Sequence, residues 1–139
     1  MVDPTRLRRL LQHATDELSF LRAERDARVD VRHDDHRLRA VKYAWIVAIE
    51  ACIDAAQHVC ATAGWGPPES NADAMRVLGH HGALDAAIAD GMARAVGFRN
   101  ILVHGYIDVD DDRVVGFLDQ IETVDRFVAS ISNLLTEPT

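Results

Sequence analysis

Between Leu38 and Val59 the apolar residues return with a single period. Leu38, Val41, Trp45, Ala48, Ile49, Cys52, Ala56 and Val59 fall within roughly 100° of arc on an α-helix. A stripe of that width predicts a long helix from about Leu38 to Ala63 with one face in a core. Gly64 supplies its stop, and the loop Gly64-Trp65-Gly66-Pro67-Pro68-Glu69 follows. A chain carrying such a helix must cover the stripe with other helices or with a sheet. Aromatic residues are only 6% of the sequence and alanine is abundant, which favours closely packed helices over a β-sandwich.

The remaining segments carry the same period. Asp3 is a predicted N-cap with Pro4 at the first helical position, and Leu7, Leu10, Leu11, Ala14, Leu18 and Leu21 form the stripe behind it. The pattern then fades into the charged run Arg22 to Arg39, which reads equally as a longer first helix or as a charged turn. Asn71 to Leu78 predicts a short helix, broken by Gly79 and Gly82. A fourth helix is predicted from about Ala83 to His104, with Leu84, Ile88, Met92, Ala95 and Ile101 on its apolar face and Gly105 as its stop. Gly91 and Gly97 weaken it by about 1 kcal/mol each relative to alanine, and each is a possible point of close helix approach. Asp110-Asp111-Asp112 places negative charge at the start of a fifth helix, where the macrodipole favours it. Phe117, Leu118, Ile121, Val124, Val128, Ile131 and Leu135 line that helix. Short connections between amphipathic helices imply an all-α antiparallel bundle of four to five helices, with residues 1–139 as one domain.

Charge and cysteine content narrow the function. The formal net charge of -7 argues against non-specific nucleic-acid binding, which needs clustered cations. Cys52 and Cys60 lie roughly 12 Å apart along one helix, too far for a disulfide, so they are expected as free thiols in a reducing compartment. No apolar leader opens the chain and no apolar run reads as long enough to span a membrane, so the cytoplasm is the expected location.

The stretch Arg99-Asn100-Ile101-Leu102-Val103-His104-Gly105-Tyr106 holds the unusual chemistry. Histidine can exchange a proton with a ribose 2′-OH or a leaving oxygen near neutral pH. Arginine can grip a phosphate through two hydrogen bonds and stabilise charge in the transition state. Asn100 and His104 share a helix face, whereas Arg99 and His104 stand roughly 140° apart. By spacing alone, the same residues also fit a capped helix end with a satisfied histidine and a surface arginine. A second constellation, Glu50, Asp54 and His58, falls four apart opposite the main stripe. It reads either as a solvated face or as carboxylate partners that orient Arg99 or His104 at an interface or active site. His33-Asp34-Asp35-His36 has metal-type residues but reads as a solvated turn, so no metal site is expected. His80-His81 reads as a loop, and Trp65 as a packing anchor.

The segment Val96 to Tyr106 resembles the signature of the HEPN superfamily, an arginine and a polar residue followed at a short spacing by histidine. More narrowly it resembles the HepT toxins that pair with the minimal nucleotidyltransferase antitoxin MntA, whose version adds a tyrosine two residues after the histidine. The likeness extends to Ala48-Ile49-Glu50-Ala51-Cys52-Ile53-Asp54-Ala55-Ala56, the Pro67-Pro68 loop and the acidic turn Asp108 to Asp112, and covers roughly residues 38–136. The resemblance implies a metal-independent endoribonuclease toxin, with tRNA as its favoured substrate, leaving a 2′,3′-cyclic phosphate and a 5′-hydroxyl. It implies a homodimer whose two Arg99 and His104 pairs meet in one composite site, with Asn100, Glu50 and Asp54 in support. It further implies that the antitoxin uses ATP to place AMP on Tyr106, while this chain needs no cofactor. HEPN-like bundles also serve as non-catalytic partner-binding modules, and that alternative stands beside the first.

Overall fold

The computed structural model describes residues 2–27, 30–105 and 108–136. Six α-helices and no strand occur among them: α1 Pro4–Asp26, α2 Asp35–Ala63, α3 Asn71–His80, α4 Ala86–His104, α5 Asp111–Gly116 and α6 Ile121–Thr136. A 3-10 turn, Val31–His33, precedes α2, and another, Phe117–Gln120, joins α5 to α6. The all-α bundle is as expected, with α5 as a short extra piece.

Local chemistry sets the boundaries. Asp3 caps α1 by accepting from the Arg6 N–H at 3.2 Å, and Leu7, Leu11, Ala14, Leu18 and Leu21 are buried behind it. The charged run resolves as a turn. Ala27 leaves the helix in extended geometry, and Val31 is buried. Asp34 then caps α2 by accepting from the Arg37 N–H at 3.1 Å. The helix therefore starts at Asp35, ahead of the expected Leu38, because its first turn is polar and carries no apolar signal. The fourth helix starts at Ala86 instead of Ala83. The Ala83 and Leu84 N–H groups both donate to the Leu78 carbonyl, at 2.9 and 3.4 Å, and so close the end of α3. The expected single fifth helix is interrupted at Phe117–Gln120.

Neighbouring helices run antiparallel. The start of α1 meets the end of α2, where the Asp3 N–H donates to His58 Nε2 at 2.9 Å, and its end meets the start of α2 through Glu24 and Arg37, 3.7 Å apart. Arg22 pairs with Asp125, and Arg25 with Glu122 at 2.8 Å, which joins the end of α1 to the start of α6. One hydrophobic cluster draws on all six helices. At its centre Trp45 is fully buried, edge-on to Phe98 and Phe117, and Phe98 stacks on Phe117 at 4.0 Å.

By length and composition α2 is after all apolar enough to cross a membrane. That corrects the sequence expectation, because charged residues interrupt the apolar run while the mean hydropathy over the helix stays high. In this bundle α2 packs against α1, α3, α4 and α6.

The two glycines of α4 differ. A Cβ on Gly91 would lie 2.6 Å from Thr123 Cγ2 on α6, so the close approach expected there is present. A Cβ on Gly97 would meet nothing within 4 Å. Gly91→Ala is expected to destabilise by up to about 2 kcal/mol, since overpacking at about 1–3 kcal/mol outweighs the helix propensity gained. Gly97→Ala should instead stabilise by up to about 1 kcal/mol. Urea denaturation of the two variants checks the opposite signs.

Candidate functional site

The site is built where α4 crosses the exposed side of α2. Phe98 is buried among the aromatic rings, so the next residue, Arg99, emerges at the rim of the core with only 20% of its side chain exposed. Its guanidinium is held at both ends. Nη2 donates to Glu50 Oε1 at 2.8 Å and Nη1 to Asn100 Oδ1 at 3.0 Å. Nε is buried and has no protein partner. A phosphate oxygen reaching the open edge of the guanidinium would meet a group already oriented by Glu50 and Asn100, with a second hydrogen on each Nη beyond those two bonds.

Glu50, Ile53, Asp54, Gln57, Asn71 and Arg99 line a concavity of about 360 Å³. Asn71, the first residue of α3, accepts from Gln57 Nε2 at 3.2 Å. Gln57 and Asn71 were not among the residues expected from the sequence. Gln57 lies on the same helical face as Glu50, and that periodicity was the available signal.

His104 closes α4 and is exposed to solvent. The N–H of Gly105 returns to the Ile101 carbonyl at 2.7 Å, ending the helix where the sequence predicts. No hydrogen bond or ion pair joins Arg99 to His104 within the protomer, in keeping with their separation around the helix. Asn100 is brought to Arg99 as its direct partner. Asp54 lines the concavity, and the bonds of Arg99 go to Glu50 and Asn100 instead. His58 is drawn away: it accepts the Asp3 N–H and fixes the start of α1. The acidic stripe thus divides into a carboxylate on the arginine, a carboxylate on the cavity wall and a structural histidine. Tyr106 lies outside the described residues.

The lesser candidates are structural. His33 sits 3.4 Å from Asp30, and Asp34 caps α2. Trp65 stacks on His81 with ring centroids 4.1 Å apart. Among the described residues no cluster of His, Cys, Asp and Glu is placed to hold a metal ion. Two exposed large hydrophobic side chains stand on the site-building helices: Tyr43 on α2, 66% exposed, and Val103 on α4, 41% exposed.

The chain is similar to proteins of known family and structure. Residues 9–131 match the family model described as Ribonuclease HepT-like. The mRNA nuclease HepT of Shewanella oneidensis is 32% identical over 80 residues, 57% of this chain. That match spans 60% of the relative's own length. Among solved structures, a toxin–antitoxin crystallised with AMP-PNP superimposes with a TM-score of 0.86 at 22% identity, over 93% of this chain and 98% of that one. The tri-AMPylated HEPN toxin of Shewanella oneidensis, in complex with an MNT antitoxin, gives 0.85 at 23% identity, over 96% and 99%. These two likenesses establish the fold.

Proposed function

The chain belongs to the HepT-like ribonuclease family, and we propose from that premise that it is the toxin of a HepT/MntA-like pair, a metal-independent endoribonuclease of the cytoplasm. The observation that carries the reading is the arginine: a guanidinium anchored by Glu50 and Asn100 on the wall of a concavity, five residues before an exposed histidine. In the proposed reaction the ribose 2′-oxygen attacks the adjacent phosphorus and the bond from phosphorus to the 5′-oxygen breaks. One His104 takes the 2′-OH proton and another protonates the departing 5′-oxygen. Arg99 stabilises the charge on the phosphoryl oxygens. Two histidines require two protomers, each folding residues 1–139 as one unit. Exposed Tyr43 and Val103 support a homodimer through this side of the bundle.

No cofactor enters this scheme, and cleavage is expected to persist in EDTA. The RNA class proposed is tRNA. The Shewanella relative is named for mRNA, and mapping cleavage in total RNA separates the two.

Regulation is proposed at Tyr106, as acceptor of AMP from ATP in a reaction run by the nucleotidyltransferase partner. An anionic adduct beside His104 would repel the RNA phosphate. Intact-mass spectrometry of the protein co-expressed with that partner should show adenylyl additions, and Tyr106→Phe should abolish them. Unchanged additions in the variant would refute the assignment.

Glu50 holds Arg99 but also competes with phosphate for it. Glu50→Gln is therefore expected to lower KM for RNA by roughly 2- to 5-fold, in line with the about 0.5–1 kcal/mol of a partly exposed pair. Loosened orientation of the guanidinium should lower kcat as well. Steady-state cleavage of a short RNA separates the two parameters.

One observation favours a second reading, a non-catalytic partner-binding module: within one protomer Arg99 is already paired and stands apart from His104. Loss of cleavage on removal of His104 decides between them.

A further inference from the structure

The concavity at Arg99 does not end at Gln57. The same side chain walls a second concavity, of about 490 Å³, lined by Gln57, Ala61, Gly64, Gly66, Pro67 and Pro68. Glu50, Asp54, Gln57 and Ala61 follow one another on a single face of α2, so the two hollows form consecutive stretches of one groove. From Glu50 to Ala61 the groove runs roughly 16 Å along the helix.

Its two ends differ in chemistry. The Arg99 end carries the charges. The far end is lined entirely by uncharged residues and offers flat apolar faces from two proline rings. Gly64 and Gly66 have φ of 73° and 82°, and a Cβ at either would point into open space. The loop therefore presents bare backbone there, and side chains are disfavoured by conformation. Trp65, between the glycines, stacks on His81 and pins the loop. At the junction the Gln57 amide donates to Asn71 Oδ1. That leaves the Gln57 carbonyl and the Asn71 amide hydrogens for a ligand.

We propose that this uncharged end is a nucleobase subsite, which takes the unpaired base flanking the phosphate held at Arg99. The proposal rests on the ribonuclease reading and deepens it. A neutral planar ring suits apolar walls with a few fixed polar groups. Single-stranded RNA presents such a base, displaced from its stack, beside its phosphate. Gln57 and Asn71 would read the edge of the base, giving the enzyme a preference at one position beside the cut.

The test separates base binding from cleavage. The probes are two dinucleoside monophosphates made uncleavable by a 2′-deoxy sugar, one complete and one abasic on the flanking side. In NMR titrations of the full-length protein, the side-chain amide signals of Gln57 and Asn71 should move with the complete probe and stay in place with the abasic one. Ala61 is exposed, so Ala61→Phe fills the hollow without burying anything new. This variant should weaken the complete probe by roughly fivefold or more, the lower end of base-stacking effects, while Ala61→Ser binds like the parent. Equal amide shifts with both probes, or undiminished affinity in Ala61→Phe, would overturn the subsite. So would loss of antitoxin binding alone in Ala61→Phe, which would assign the hollow to a protein. Failure of the ribonuclease reading shows separately, as absence of RNA cleavage by the parent protein while the base-dependent amide shifts persist.

Discussion

His104→Ala protein is expected to keep its fold and to lose RNA cleavage by roughly 10²–10⁴-fold, the usual contribution of a positioned general acid or base. Both halves follow from where the side chain sits. His104 is the last residue of α4, exposed, outside the core cluster and, among the described residues, outside the side-chain hydrogen bonds that tie the helices together. Truncation there removes no buried contact, so stability should stay within about 0.5 kcal/mol of the parent. The proposed chemistry, by contrast, has no other group to move the proton. Cleavage measured beside thermal unfolding, with EDTA present throughout, reads both quantities on one preparation. A variant that unfolds at the parent's temperature and cleaves RNA at the parent's rate would eliminate the catalytic role and leave the partner-binding module. Arg99→Ala is the weaker test of the same point. Its loss strands Glu50, disturbs Asn100 and uncovers the cavity wall, so a drop in activity there mixes chemistry with structure.

The sequence displays the elements that bury a continuous stripe and conceals those made from polar contacts. The stripe of α1, the core face of α2 and the stop at Gly105 are legible because hydrophobic burial has a period. The break between α1 and α2 is not, since it depends on Asp34 as a cap and on one buried side chain, Val31. The split between α5 and α6 is hidden for a different reason. Phe117 and Leu118 remain directed at the core through the 3-10 turn, so the apolar pattern runs on while the backbone changes. At the site, the motif names Arg99 and His104 and the helical face names Glu50. Periodicity cannot tell that Glu50 reaches the guanidinium while His58, two turns on, serves the start of α1. Those partners come from other elements, and their meeting is a property of packing. Gln57 and Asn71 were missed on the same ground, because neither residue type is informative until α2 and α3 lie side by side.

The anchoring of Arg99 leads to the largest expected change in stability. Phe98→Ala should cost about 3–5 kcal/mol, the range for removing a buried aromatic side chain. Phe98 is 1% exposed, stacked on Phe117 and edge-on to Trp45, so its ring joins α4 to α2 and to the turn before α6. Domains of this size have only about 5–15 kcal/mol of net stability. The variant is therefore expected at the margin of folding, with a large fall in its urea midpoint. The same ring sets the direction in which its neighbour leaves the core. Phe98→Leu keeps most of the volume and loses the aromatic stacking. It should remain folded, with a smaller loss of stability. If the aromatic cluster places the guanidinium, Phe98→Leu should lower kcat for RNA more than its fraction folded accounts for. Rates corrected for the folded fraction decide the matter. A corrected rate equal to the parent's would show that Glu50 and Asn100 position Arg99 unaided, and the aromatic cluster would then be a matter of stability alone.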